Sequence, residues 1–180
     1  MRSPLAPHFI RKEYKVNRHS QILNFAGAAA LSMMASPPAS AQSMKDQIVG
    51  TWSVESNVEH YADGKSVSWG QTLKGLQIFD AGGRFVLMEA EVGSRSKADG
   101  NPALNPVGKM VSYFGTYAVN ETEKTLTYQI VGASFPNWDG SEQKRVVATL
   151  DASKLVYKTA APIPSPQGPF VPVVTWTKLK

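Results

Sequence analysis

The chain has 180 residues, of which 42% are hydrophobic, a formal net charge of +5 and no cysteine. This length predicts one domain with an additional segment, and the lack of cysteine excludes disulfides, thiolate metal sites and cysteine catalysis. Residues 1–41 contain five of the 19 basic residues and one of the 14 acidic residues, so that residues 42–180 contain 14 bases and 13 acids. Because the basic charge belongs to the amino-terminal segment, no nucleic-acid partner is expected.

The amino-terminal segment has the pattern of a cleavable signal peptide. Four basic residues precede an apolar run at 22–35, and Ala39-Ser40-Ala41 follows two prolines. The run has about 14 residues, fewer than the roughly 20 that a membrane-spanning helix needs. We therefore expect residues 1–41 to be a signal peptide that is cut after Ala41. The remaining domain, residues 42–180, would be periplasmic or secreted, without stable membrane insertion.

Residues 42–180 are predicted to form strands almost throughout, because apolar and polar residues alternate and the segments end at turn sequences. In chain order, the predicted strands are 49–59, 66–73, 76–79, 84–92, 109–119, 125–131, 142–150, 154–159 and 173–179. Ala62-Asp63-Gly64-Lys65 is typical of a hairpin turn, since Asp-Gly accepts the positive φ of tight turns. No amphipathic helix is predicted.

Strands joined by hairpins predict an all-β fold, a single antiparallel up-and-down barrel of about eight to ten strands. A barrel of roughly eight strands can hold one small ligand, and an open two-sheet sandwich is the alternative fold. Three segments interrupt the strand pattern, and one of them, residues 134–141, is a turn-rich loop. Residues 93–108 are predicted to be a long loop, and residues 160–172, with five prolines, are predicted to run extended without pairing as a central strand.

Three tyrosines are predicted to lie on faces that are otherwise apolar. Tyr113 and Tyr117 alternate on strand 109–119, and Tyr128 alternates with apolar residues on the next strand. Such faces suit a cavity wall that holds an apolar ligand and offers hydroxyl groups to orient it. They equally suit an ordinary core in which the hydroxyls reach the rim. Both interpretations remain open from the sequence.

Four further residues are candidate ligand contacts. Trp69 is expected at the rim of the barrel. Phe135 and Trp138 lie in a turn-rich loop that is expected to seal one end of the barrel, or else to contact ligand. Arg145 alternates with Val147. If this face points inward, Arg145 is a buried cation that needs a carboxylate partner or an anionic ligand. The outward orientation, with Arg145 as a surface charge, is the one that we expect.

Two acidic residues also share a face of a predicted strand. Glu89 and Glu91 lie two residues apart in strand 84–92. Two close carboxyl groups can raise one pKa and act as an acid–base pair. The opposite face carries Val86, Met88 and Ala90. We therefore expect these three residues in the core and the two glutamates on the solvent face.

Four segments of residues 42–180 form a characteristic set. They are Ile-Val-Gly-Thr-Trp at 48–52, Gly-Leu-Gln-Ile-Phe-Asp-Ala-Gly-Gly-Arg-Phe at 75–85, Tyr-Phe-Gly-Thr-Tyr at 113–117, and the most specific run, Gly-Ala-Ser-Phe-Pro-Asn-Trp-Asp-Gly-Ser-Glu-Gln-Lys-Arg at 132–145. Together they resemble the lipocalin-like domain family of bacterial and fungal proteins, over essentially the whole of residues 42–180. The resemblance implies a small antiparallel barrel, and it carries over no catalytic residues.

Several enzyme classes lack their motifs in this chain. The sequence has no Gly-x-Gly-x-x-Gly, no Gly-x-x-x-x-Gly-Lys-Ser/Thr and no Gly-x-Ser-x-Gly, and residues 42–180 contain a single histidine, His60. We therefore expect no metal site and no cofactor.

The leading hypothesis is an exported barrel that binds a small, mostly apolar molecule without transforming it. One alternative is a small-barrel isomerase or cyclase that uses Tyr and Glu acid–base chemistry, with an inward carboxyl group such as Glu89 or Glu142. A second alternative is a protein-binding module, which predicts an exposed apolar patch.

Overall fold

A computed structural model describes residues 42–93 and 108–180. The expected signal peptide and residues 94–107 of the expected long loop lie outside these described residues. The elements, in chain order, are helix α1 (Met44–Ile48), strands β1 (Gly50–Tyr61), β2 (Ser66–Ser68), β3 (Leu73–Phe79), β4 (Arg84–Glu91), β5 (Met110–Asn120) and β6 (Thr125–Ala133), a 3-10 turn (Pro136–Trp138), and strands β7 (Glu142–Leu150), β8 (Lys154–Thr159) and β9 (Phe170–Lys178).

The strands form a closed antiparallel barrel. From β3 to β9 each strand pairs with the next one in the chain, and β9 pairs back with β1 from Trp52–Lys178 to Tyr61–Phe170. Eight strands make up the wall, and β2 is an extra strand that pairs with β1. Closure removes the unpaired edges that an open sheet would expose. The prediction of an up-and-down barrel is confirmed. Within the described ranges, no helix is long and apolar enough to cross a membrane.

The strand boundaries differ from the predicted ones in two places. The predicted strand 66–73 contains only the short β2, and β3 begins at Leu73. β9 begins at Phe170, so Pro172 lies inside a strand and pairs with Glu59 of β1. The pairing of β9 with β8 reaches only as far as Val173. Pro172 therefore pairs with a neighbouring strand on one side only. At such an edge position a residue without an N–H group is tolerated.

Helix α1, which the sequence did not predict, covers one end of the barrel. The backbone N–H groups of Met44 and Lys45 both donate to the Glu121 carboxylate, at 3.1 Å each. Ile48 and Trp52 are fully buried at this end, and the Trp52 indole N–H donates to the Ile48 carbonyl oxygen at 2.8 Å. We call it the closed end, because it is filled with side chains. With five residues, α1 is too short to produce a helical hydrophobic period.

A bulge in β1 decides which of its residues face the interior. Val54 pairs with Trp176, whereas Ser56 pairs with the preceding β9 residue, so Glu55 is an extra residue in the ladder. One extra residue reverses the alternation beyond it. Asn57 is consequently buried. Unbroken alternation would place Asn57 on the face opposite Trp52, so the bulge is what brings Asn57 to the inner face.

β4 faces the interior with the opposite side from the one expected. Glu89 and Glu91 are buried, with exposed fractions of 1% and 5%, whereas Val86 and Met88 are about half exposed. Of the three residues expected in the core, only Ala90 is buried. The expectation was wrong because β4 carries large apolar residues on both faces, and alternation alone does not identify the inner one.

The outer faces of β3 to β6 carry a contiguous apolar patch. Cross-strand pairing brings its members together, with Ile78 beside Val86 and Val86 beside Phe114. Each member is between 41% and 63% exposed; they are Leu76, Ile78, Val86, Met88, Phe114 and Val131. We call this surface the outer patch. The protein-binding hypothesis would rest on it, since that hypothesis requires an exposed apolar surface.

A buried glutamine links three strands in the middle of the barrel. The Gln77 side-chain amide on β3 donates to the Tyr128 hydroxyl on β6 at 2.8 Å, and the Tyr157 hydroxyl on β8 donates to the Gln77 carbonyl oxygen at 2.9 Å. All three side chains have exposed fractions of 2% or less. A buried polar group is tolerated when its hydrogen bonds are made, and here Gln77 is the hydrogen-bond partner of both tyrosine hydroxyl groups.

Replacing Gln77 by Leu should destabilise the protein by about 2–4 kcal/mol, because the change removes a hydrogen-bond partner from two buried hydroxyl groups at once. Urea unfolding followed by tryptophan fluorescence measures the change. The same substitution at the exposed Gln71 is the control, with an expected change below about 0.5 kcal/mol. Equal stability of the two variants would show that the network contributes nothing.

Candidate functional site

A cavity of about 500 Å³ lies at the other end of the barrel, among the residues described. β1 starts at the closed end, and its late residues line the cavity, which places the cavity opposite α1. The apolar and aromatic lining residues are Trp69, Leu87, Val111, Tyr113, Phe135, Trp138, Tyr157, Ile163, Pro164, Phe170, Pro172 and Val174. The polar lining residues are Asn57, Glu59, Glu89, Asn137, Arg145 and Thr159. The volume falls in the range of about 300–1,000 Å³ typical of small-molecule sites.

Two buried tyrosines, Tyr128 and Tyr157, lie at the deep side of the cavity, and we call them the floor. Both belong to the hydrogen-bond network of Gln77. Burial raises the pKa of each phenol, most strongly through the cost of placing a phenolate away from water. The floor therefore stays uncharged at neutral pH and offers an aromatic surface.

Arg145 stands on this floor and points into the barrel. Its exposed fraction is 6%, and its guanidinium carbon lies 5.3 Å from the centre of the Tyr128 ring. Its Nη2 donates to the Gln143 side-chain oxygen at 2.7 Å and to the Tyr113 hydroxyl at 3.3 Å. The expectation of an outward surface charge was wrong. Arg145 and the buried Val147 share the inner face of β7, and a long polar side chain within an apolar alternation does not reveal its orientation.

Glu89 is a buried carboxyl group that lines the cavity. Its Oε2 accepts a hydrogen bond from the Asn57 amide at 2.9 Å. Among residues 42–93 and 108–180, its Oε1 has no hydrogen-bond partner, and neither have Asn57 Oδ1 and Thr159 Oγ1. Burial raises the pKa of Glu89 to about 7, and the Asn57 hydrogen bond and the charge of Arg145 offset only part of that effect. At neutral pH this carboxyl group is close to half protonated.

Aromatic rings surround the entrance of the cavity. The 3-10 turn packs the Phe135 ring 5.0 Å from that of Trp138, and Trp138 contacts Tyr113 edge-on at 5.7 Å. Trp69 lies on the other side, with the Lys109 ammonium 5.1 Å from its ring centre. We call Trp69, Phe135, Trp138, Ile163 and Phe170 the mouth. The proline-rich segment contributes two of these residues, which pair with each other as an isolated bridge.

The structure brings most of the sequence-predicted ligand contacts together. Trp69, Tyr113, Phe135, Trp138 and Arg145 all line the cavity. The other two predicted contacts, Tyr128 and Tyr117, are not among the lining residues. Tyr128 is fully buried beneath the cavity, and Tyr117 lies towards the closed end.

Tyr117 is held by a structural contact. Its hydroxyl donates to the Asp80 carbonyl oxygen at 2.8 Å, and its ring packs edge-on against Phe79 at 4.9 Å. Sequence reasoning also missed cavity residues. Thr159 and Asn57 were not predicted to line a cavity, and Glu89 was expected on the outside. No signal within β4 identifies Glu89 as an inner residue, because large apolar residues occupy both faces of this strand.

A closed barrel of eight antiparallel strands, with one end filled and a cavity at the other, is the architecture of barrels that enclose a small ligand. The chain belongs to the lipocalin-like domain family, whose model matches residues 49–179. This finding confirms the resemblance seen in the sequence. Among solved structures, one described as a redesigned beta barrel is similar, with 12% sequence identity, coverage of 77% of this chain and 100% of that chain, and a TM-score of 0.40. No curated protein matches the chain.

Proposed function

We propose that this protein is exported and that its barrel binds a small, mostly apolar molecule. The observation that carries the proposal is the cavity of about 500 Å³, which is lined mainly by aliphatic and aromatic side chains together with a few polar groups. Sites of this kind bury most of an apolar ligand and use the polar groups to orient it. The basic segment, the apolar run and the small residues before position 42 support export.

A neutral fluorescent probe, phenylnaphthylamine, tests the proposal. We expect the protein to bind it saturably at one site, with increased probe fluorescence. Val111 lines the cavity on the inner face of β5. The substitution Val111→Trp places an indole in the cavity and should weaken binding at least about tenfold, because the probe loses the apolar surface that it would bury.

The matched control is Thr116→Trp, which adds the same ring to the exposed outer face of the same strand. This variant should bind the probe as the wild type does. Equal binding by the Val111→Trp variant would place the probe elsewhere, for example on the outer patch, and would contradict the proposal. Absence of saturable binding by the wild type would contradict it directly.

Glu89 supports the enzymatic alternative as a second candidate function. That hypothesis requires an inward carboxyl group with a raised pKa beside a cavity tyrosine, and Glu89, with a pKa of about 7, shares the cavity with Tyr113. Glu142, the other carboxyl group considered, is exposed. An isomerase or cyclase would convert a bound molecule into a product of equal mass, whereas a carrier would return it unchanged. Chromatography of bound molecules before and after incubation separates the two.

A further inference from the structure

We propose that the molecule held in this cavity is an amphiphile with a carboxylate group, which binds Arg145 at the floor while its apolar part extends towards the mouth. The inference rests on the proposed function and names the chemical class of its ligand. It is carried by the placement of one buried cation and several unpartnered polar atoms in the same cavity.

The first observation is that Arg145 has no anionic partner among the residues described. Its hydrogen bonds go to a side-chain amide, a phenol and a backbone carbonyl, and none of the three ion pairs in the described part of the chain includes it. A guanidinium group is cationic at every accessible pH. Burying such a charge without a counter-charge costs several kcal/mol, and a bound anion recovers part of that cost.

The carboxyl groups that line the cavity do not form an ion pair with Arg145. Glu59 accepts a hydrogen bond from the Tyr61 hydroxyl at 2.9 Å. Glu89 is bonded to Asn57, and burial keeps it largely protonated below about pH 7. Below about pH 7, Glu89 therefore does not neutralise the fixed charge of Arg145. Such a site favours a carboxylate over a neutral or cationic head group.

The second observation is a set of polar atoms that can complete the binding of a carboxylate. Thr159 Oγ1 and Glu89 Oε1 are both buried and lack partners within the described residues, and both residues line the same cavity as Arg145. The threonine hydroxyl and the protonated carboxyl group are hydrogen-bond donors. A carboxylate has two acceptor oxygens, and a guanidinium group can bind both of them through parallel hydrogen bonds.

The apolar residues determine the orientation of the ligand. Arg145 rests on the fully buried Tyr128 ring, so the head group would lie deep in the barrel. The mouth is aromatic and aliphatic, and Phe135 there is 45% exposed. An apolar tail that contacts these residues removes their surface from water at roughly 25 cal/mol per Å².

Decanoate and decanol test the inference, because they share an apolar chain and differ in charge. Each is titrated against protein loaded with phenylnaphthylamine, at about pH 6, where decanoate is ionised and Glu89 is mostly protonated. We expect decanoate to displace the probe with an affinity at least about tenfold higher than that of decanol, as a charge-assisted hydrogen bond implies.

Arg145→Met should bring the two affinities within about threefold of each other, since it removes the cation and keeps an apolar side chain. Lys144→Met is the matched control, because Lys144 is an exposed neighbour that carries the same charge and pairs with Glu123. It should retain the preference for decanoate. Thermal unfolding of each variant establishes that it is folded.

The possible outcomes separate this inference from the proposed function. If decanoate and decanol displace the probe equally from the wild type, the ligand class is wrong while binding of an apolar molecule stands. If decanoate is preferred but Arg145→Met retains the preference, the assignment to Arg145 is wrong. If neither compound displaces the probe, and the probe itself does not bind, the proposed function fails as well.

Discussion

Replacing Glu89 by Gln should stabilise the protein by roughly 2–3 kcal/mol at about pH 8 and leave its stability nearly unchanged at about pH 4. The folded-state pKa of Glu89 is raised by burial from an ordinary value of 4.5 to about 7. Between these two values the folded protein binds a proton that the unfolded chain has released. Stability therefore falls as pH rises from about 4.5 to about 7, and the full cost of the buried carboxylate is present above that range.

Glutamine is neutral at every pH and has nearly the shape of the protonated glutamic acid, so the variant avoids this cost. Urea unfolding at a series of pH values measures the difference between the two proteins. Glu142→Gln, at an exposed position of β7, is the control and should change the free energy of unfolding by less than about 0.5 kcal/mol at either pH. A Glu89→Gln variant that is no more stable than the wild type at about pH 8 would refute the argument.

Gly115→Ala should destabilise the protein by at least about 3 kcal/mol, or prevent folding. β5 and β6 change register between Phe114 and Gly115, so that Phe114 pairs with Gly132 and Gly115 with Ile130. The bulge brings the two backbones close together, and a Cβ atom at Gly115 would overlap the carbonyl oxygen of Gln129. A backbone atom cannot rotate away as a side chain can, so relief requires the strands to separate.

The same substitution at Gly82 is the control for this prediction. A Cβ atom there would approach only a side-chain oxygen of Asp80, at 3.3 Å, in an exposed turn. We expect Gly82→Ala to change the free energy of unfolding by less than about 1 kcal/mol. Thermal or urea unfolding compares the two variants, and similar stabilities would show that the barrel tolerates a methyl group between β5 and β6.

The barrel was predictable because short segments of the sequence are enough to identify its strands and its turns. Alternating residues identify strands, and turns such as Asp63-Gly64 identify hairpins, so that an antiparallel order follows from the sequence. Closure follows in turn from the need to protect strand edges. The bulges were not predictable. The extra residue Glu55 in β1 has no distinctive sequence signal, and it changes which side of the strand faces inward beyond that point.

The candidate site was predictable in its aromatic residues and not in its charges. Tyr113 and Trp138 belong to patterns that place rings inside a barrel or at its end. Arg145 and Glu89 occupy inner positions where burial costs free energy, so reasoning from hydrophobicity assigns them to the surface. A sequence departs from the general rules of burial most often where a protein has a function. These two misassigned residues are the ones on which the inferred ligand class and the enzymatic alternative depend.

The two ends of the barrel have different uses for an experimenter. The last strand runs to the closed end, where the Lys178 ammonium donates to the Gln47 carbonyl oxygen at 2.7 Å and the Leu179 N–H donates to the Thr51 carbonyl oxygen at 2.8 Å. The mouth lies at the other end. A sensor surface or affinity tag linked to Lys180 would therefore hold the molecule by its base, with its entrance turned towards the solution and free to admit diffusing compounds.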